Sequence, residues 1–393
     1  MLQLALHSGL EDWSVNLERL APVADFVAEV IQQRYPVLDV PLHSRWRHFV
    51  LEGVDLWAGI AHDAHGRNAQ WKNSGVAARA AFDLVITSVL LDAGAGSEWQ
   101  FRDRGTGLVV ARSEGLALAS LRWFQNGGLS DDADEPYRAD AAVLRRIDET
   151  SIEHAFQAGH DNPLAGLRGR AALLNRLGAV AESRRDLFAL QDSPRPGGLF
   201  DALSLKVVDG GISAATILET VLEALGPIWE GRPRLGGVPL GDCWPHPALK
   251  GEQPEDGYVP LHKLSQWLSY SLIEPLERAG IAVTDVHELT GLAEYRNGGL
   301  FIDMGVLAAR EQSAMAATHA VAAPFVVGWR ALTVALLDEL TPLVGARLGL
   351  ESGQFPLARM LEGGTWAAGR IIAGRMRAGG APPLHISSDG TVF

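Results

Sequence analysis

Residues 286–307 read VHELTGLAEYRNGGLFIDMGVL, a largely apolar stretch that carries Glu288, Glu294, Arg296 and Asp303 and is interrupted by Asn297-Gly298-Gly299. A carboxylate or guanidinium buried without a partner is costly, so such a cluster is either paired internally or kept to meet a ligand. At helical spacing Gly291, Glu294 and Tyr295 lie close together, and the Asn-Gly-Gly triplet is expected to end the helix and turn the chain back. Glu294 suits general acid–base work or stabilisation of a cation, and Arg296 offers a planar fork to phosphate. The plain alternative is a structural Arg–Glu pair.

Just upstream, residues 260–276 read PLHKLSQWLSYSLIEPL. Spacings of 3, 4 and 7 bring Lys263, Gln266, Trp267 and Tyr270 to one helical face. A lysine, an amide and two aromatics make a wall for a polar, phosphorylated ligand; the alternative is a partly buried helix whose lysine stem reaches out to water. Lysine is scarce, since only Lys72, Lys206, Lys250 and Lys263 occur among 34 basic residues. That makes a lysine on an apolar helix harder to dismiss as surface decoration.

Helical periodicity extends through most of the chain, over residues 17–34, 74–91, 169–190, 213–225, 261–279, 314–348 and 365–377. Asn73-Ser74 is a plausible cap, and Pro324 and Pro342 are expected to break or kink the 314–348 stretch. Strand signals are few: residues 99–102 and 108–111, around the turn Gly105-Thr106-Gly107, predict one small hairpin. The fold expected is mainly α with minor β, a multi-helical single domain over 1–393, with a two-lobe division near residue 192 as the alternative.

The chain has 393 residues, 47% hydrophobic and 21% charged, enough for a large core. A formal charge of -13 argues against nonspecific nucleic-acid binding, which needs basic surface, yet local Arg and Lys can still bind a small phosphorylated ligand. The lone cysteine, Cys243, allows no internal disulfide and fits a reducing cytoplasm. No secretory signal is expected, and no window reaches the roughly 18 apolar residues that span a bilayer. HExxH, P-loop, GxSxG and strand-linked GxGxxG motifs do not occur, so neither metal nor cofactor is expected.

Two further clusters stand out. Arg112-Ser113-Glu114-Gly115 sits where a strand gives way to a helix containing Phe124; it is either an anion site at a helix start or a Ser113 cap with Glu114 in the first turn. His43-Ser44-Arg45-Trp46-Arg47-His48-Phe49 is a ligand lid or phosphate contact, or else an exposed basic turn. The pairs His62-Asp63 and His160-Asp161 lack the framework of an HD phosphohydrolase.

The segments HSRWRHF (43–49), RSEGLALASL (112–121), NPLAGLRGR (162–170), PLHKLSQWLSYSLIEPLE (260–277), ELTGLAEYRNGGLFIDMGVL (288–307) and SSDGTVF (387–393) resemble the family of proteins encoded with the URC pathway of uracil catabolism. The resemblance covers nearly the whole chain, with fewer N-terminal residues than family members carry. In that pathway uracil becomes its ribonucleotide, a cyclohydrolase-like enzyme opens the ring, and a ribosylurea species must later release urea. A second similarity, confined to the segments around 263–270 and 289–307, is to queuosine 5′-phosphate N-glycosidases, helical proteins of DNA-glycosylase-like architecture. Lys263 and Gln266 match that family's helix motif, and Glu294, Tyr295 and Arg296 its acid-Tyr-Arg motif; glutamate stands here where aspartate is usual.

These resemblances imply hydrolysis of the N-glycosidic bond of ribosylurea 5-phosphate, or a related ring-opened uridine nucleotide. Glu294, Asp303 and Tyr295 are the catalytic candidates. Lys263, Gln266, Trp267, Arg296, Arg112, Ser113, Glu114, Phe124 and Arg45 are the substrate-binding ones. Alternatives are a hydrolase or lyase on an earlier acyclic ureide, and a non-catalytic scaffold for the cyclohydrolase-like enzyme. The expected partners are a small phosphorylated nucleoside-derived substrate and that pathway enzyme, with no nucleic acid and no membrane.

Overall fold

A computed structural model describes residues 1–61, 71, 73–96, 98–191, 193–249, 251–351 and 353–387. His62-Asp63, Lys72, Lys250 and the tail beyond Ser387 lie outside the described residues. The longer helices are α1 (Leu20–Arg34), α2 (Ser74–Leu90), α3 (Arg112–Gln125), α4 (Leu167–Ser183), α5 (Ala214–Leu225), α6 (Lys263–Arg278), α7 (Tyr295–Asp303), α8 (Pro324–Arg347) and α9 (Trp366–Met376). Three-residue strands accompany them: β1 (Trp13–Val15), β2 (Gln100–Arg102), β3 (Val109–Ala111), β4 (Gly211–Ser213), β5 (Cys243–Pro245), β6 (Tyr258–Pro260), β7 (Ala282–Thr284), β8 (Leu307–Ala309), β9 (Thr318–Ala320) and β10 (His385–Ser387). The fold is mainly α with minor β. No helix among the described residues is long and apolar enough to cross a membrane.

Local chemistry explains several helix starts. The Asn73 side chain accepts from Val76 N–H at the head of α2, and Ser213 accepts from Thr216 N–H at the head of α5. Pro324 opens α8 at a position where its missing N–H costs nothing, while Pro342 is carried inside that helix, which runs on to Arg347. The expected break at Pro342 is therefore absent. The predicted β2–β3 hairpin forms with Phe101 opposite Val110.

The chain divides into two compact units. The first holds Met1–His43, Arg232–Gln266 and residues 287–387; the second holds Ser44–Gly231 and Trp267–Val286. Residue 192 lies outside the described residues, and the changeover at Gln266 and Trp267 falls within α6.

In the first unit α7 packs against α8 and α9, and α8 against α1. Antiparallel β1–β8 and β5–β6 and parallel β9–β10 tie distant segments together. Asn297-Gly298-Gly299 does not end a helix here; it lies in the first turns of α7. The reason is steric. A Cβ on Gly298 would stand 2.6 Å from the Trp329 ring of α8, and one on Gly369 of α9 would stand 2.3 Å from the Arg296 carbonyl oxygen. These glycines serve close helix approach. The left-handed turn expected of the triplet is supplied by Gly305 (φ 76°), where Val306 N–H bonds Phe301 C=O and Gly305 N–H bonds Ile302 C=O.

In the second unit α2 packs against α3, α4 and the turn Pro196–Gly198, which leaves it buried nearly all round. Its buried Asp83 accepts from Arg195 Nε (2.8 Å) and Gly197 N–H (2.5 Å). Parallel β4–β7 joins residues 211–213 to 282–284.

The Gly298 contact yields a stability prediction. Gly298→Ala should cost about 1–3 kcal/mol, the usual penalty of an overpacked core, read as a lower urea midpoint. An unchanged midpoint would mean that α7 and α8 separate without loss.

Candidate functional site

In the first unit Glu294 is the N-cap of α7. Its Oε2 accepts from Arg296 N–H and its Oε1 from Asn297 N–H, each at 2.6 Å. The sequence alternatives for this residue did not include a cap, though a glutamate in that place is uncommon among capping residues. Burial pushes the Glu294 carboxyl above its ordinary range, opposed by the two N–H bonds and by the positive charges of Lys263 and Arg296. The residue is 7% exposed. Each oxygen keeps acceptor capacity beyond its backbone bond, so the carboxylate is oriented without being used up.

The residues that follow are buried and only partly satisfied. Arg296 donates through Nη1 to Gly380 C=O (2.9 Å) and lies over the Tyr295 ring (4.7 Å), while its Nε has no partner among the described residues. Asn297, 2% exposed, donates through Nδ2 to Leu292 C=O (3.3 Å) and leaves Oδ1 without a partner. Asp303, at the far end of α7, is held by both Nη atoms of Arg377 at 2.7 and 2.6 Å. That pairing commits its carboxylate and leaves it poorly placed as a proton donor.

Lys263 and Gln266 begin α6 and are both buried. Gln266 Oε1 accepts from Thr290 N–H (3.1 Å), which joins α6 to the segment leading to Glu294. The sequence reading missed the group that anchors this region. Asp242 Oδ2 accepts from Lys263 N–H (3.0 Å), its Oδ1 accepts from Trp244 Nε1 (2.7 Å), and Arg330 clasps both oxygens at 2.7 Å. Arg330 Nε then donates to Ala293 C=O (3.1 Å), next to Glu294. Burial works to raise the Asp242 carboxyl, but Arg330, Trp244 and the Lys263 N–H outweigh it and hold it well below the usual carboxylate range. Between them His262 takes a left-handed backbone (φ 46°), a strained conformation for a non-glycine residue. Arg330 had a legible signal: it is the lone charge in PFVVGWRALTVALL (324–337).

The remaining candidates lie in the second unit. Arg45 is fully buried, donates to Ser88 Oγ (2.7 Å), pairs with Asp92 (3.0 Å) and lies over the Trp267 ring at 5.5 Å. Burial lowers the Arg45 pKa, partly offset by Asp92 and Glu114. Ser113 does not cap α3; it donates to Asp92 Oδ2 (2.5 Å), Ala111 holds the cap position, and Arg112 takes φ 56°. Phe124 is wholly buried against Tyr137 and is core. The segment 43–49 is not an exposed turn: Trp46 Nε1 donates to Ser271 C=O and Arg47 pairs with Glu274. His160 and Asp161 are fully exposed.

Thus the structure gathers Lys263, Gln266, Glu294, Tyr295 and Arg296 in the first unit, with Asp303 turned to Arg377. Arg45, Arg112, Ser113, Glu114, Phe124 and Trp267 belong to the second. The first group offers an oriented carboxylate amid cations, a setting for chemistry at a carbon that becomes positive.

A family model described as "Protein of unknown function (DUF1688)" matches residues 1–393. The chain is 37% identical to Protein urg3 of Schizosaccharomyces pombe (strain 972 / ATCC 24843) over 402 residues, covering 100% of this chain and 95% of that protein. It is 34% identical to Uracil catabolism protein 4 of Lachancea kluyveri over 415 residues, covering 97% and 92%.

Replacing Arg330 by Met strands the buried Asp242 charge and should cost about 3–5 kcal/mol by chemical unfolding. Adding Asp242→Asn should recover part of that loss. A single variant as stable as the parent would remove the pair from its anchoring role.

Proposed function

The chain belongs to the DUF1688 family, and from that premise we propose that it is a hydrolase of uracil catabolism. Its reaction is cleavage of the N-glycosidic bond of ribosylurea 5-phosphate, or of a closely related ring-opened uridine nucleotide. The relative named Uracil catabolism protein 4 supports the pathway. The observation that carries the reaction is Glu294: a buried carboxylate fixed by two backbone N–H groups and subject to the charges of Lys263 and Arg296.

Cleavage moves the C1–N electron pair onto the urea nitrogen and leaves positive character at C1 of the sugar. An ionised Glu294 stabilises that charge and takes a proton from the incoming water, whose oxygen bonds to C1. The departing nitrogen gains a proton, giving urea and ribose 5-phosphate. Tyr295 is our donor, because it neighbours Glu294 in the chain and Asp303 is committed to Arg377. Lys263 and Arg296, whose Nε is unfilled, hold the phosphate. Convergence of these groups within one unit favours catalysis over a scaffold.

Purified protein incubated with synthetic ribosylurea 5-phosphate should release urea; no release at high enzyme concentration defeats the proposal. Glu294→Gln should lower turnover by at least about 10²-fold while the melting curve still shows a folded protein. A near-parental rate would assign the carboxylate role elsewhere. Because the ionised form is active and burial raises the pKa, kcat should climb with pH above the ordinary glutamate range. Lys263→Met removes a charge that lowers that pKa, so the acid limb should move to higher pH still; a limb that stays put or moves down would contradict the coupling.

A further inference from the structure

We infer that Asn297 reads the leaving group: its carboxamide oxygen accepts an N–H from the ureide part of the substrate, an assignment that rests on the glycosidic reading above. The residue is 2% exposed, and its Oδ1 has no partner among the described residues. A buried acceptor left unfilled is costly and rare in native proteins, so one that persists calls for an explanation. The carboxamide cannot simply turn over to hide the oxygen. Nδ2 donates to Leu292 C=O, and exchanging the two atoms would set oxygen against oxygen.

Place and chemistry narrow what fills it. Asn297 shares the first turn of α7 with Glu294, whose Oε1 accepts the Asn297 backbone N–H. Acceptors therefore gather at this end of the helix. Phosphate, itself an acceptor, cannot complement Oδ1. A sugar hydroxyl or a ureide N–H can, and the two differ in rigidity. The ureide is planar with its N–H directions fixed, which suits a carboxamide oxygen that is itself pinned. An N–H held there fixes the rotation of the leaving group about the C1–N bond while Glu294 acts at C1. Asn297 is thus a specificity-determining residue for ligands carrying an amide or ureide N–H.

Calorimetric binding of ribosylurea 5-phosphate and ribose 5-phosphate to the full chain tests this, with Glu294→Gln present in every protein titrated so that the ureide is not consumed. With Asn297 in place that protein should prefer the ureide by at least about tenfold, and adding Asn297→Leu should erase most of that preference while ribose 5-phosphate binds as before. A preference absent with Asn297 in place, or unchanged by Asn297→Leu, overturns the assignment. So does an equal loss for both ligands, which would mean that Asn297 reads a hydroxyl. Should the chain with Asn297→Leu fail to fold, the protein that keeps Asn297 is titrated with the ureide methylated on its nitrogens: binding weakened about tenfold supports the assignment, and unweakened binding overturns it. The preference found in these titrations, with no urea released by the wild type, defeats the hydrolytic reading while upholding the role of Asn297.

Discussion

The buried pair of Asp242 and Arg330 is the constraint on which the first unit's chemistry rests. Two opposite charges taken out of water repay their desolvation only when every remaining donor and acceptor is used. Here they are used on three different segments. Asp242 receives the first N–H of α6 and the Trp244 indole; Arg330, from α8, reaches the carbonyl of Ala293. The start of the lysine-bearing helix and the residue before Glu294 are thereby referred to one point. Separately, Gln266 accepts from Thr290 N–H, a second link between the same two segments. The geometry is set by backbone groups as much as by side chains, which favours a fixed arrangement.

Two acids of one short helix illustrate how environment divides roles. Glu294 and Asp303 stand at opposite ends of α7. Backbone N–H groups point out of a helix at its N-terminus, so the first finds neutral donors and stays only partly compensated. The second meets a guanidinium and is neutralised. Sequence proximity alone made both look alike.

What could be read in the residues follows from range. Helices with several turns announced themselves, and so did the cap at Asn73, because their signals lie within a few positions. Of the three-residue strands, the β2–β3 hairpin did because a glycine turn joins it; β1 did not, since its partner β8 lies far off at 307–309 and a period of two cannot show itself in three residues. The site was legible where a charge interrupts an apolar helix, as Lys263 does. Arg330 passes the same test, being the lone charge in residues 324–337. Asp242 sits in a Gly- and Pro-rich connection where an acid is ordinary, and nothing local marks it. Gly298 was misjudged because glycine has two uses, positive φ and closeness, and only the neighbouring Trp329 decides between them.

The first unit's segmentation has a consequence for how the polypeptide matures. Its earliest residues pair with partners near 307 and its last described strand closes on 318–320. During synthesis β1 must therefore wait, unpaired, until residues 307–309 have been made. The stretch Ser44–Gly231 faces no such delay and holds most of its partners within itself. Loops that close over so many residues form slowly, so the β1–β8 pairing completes late, whereas the segments that carry Lys263 and Glu294 are joined over a short separation by Gln266 and Thr290.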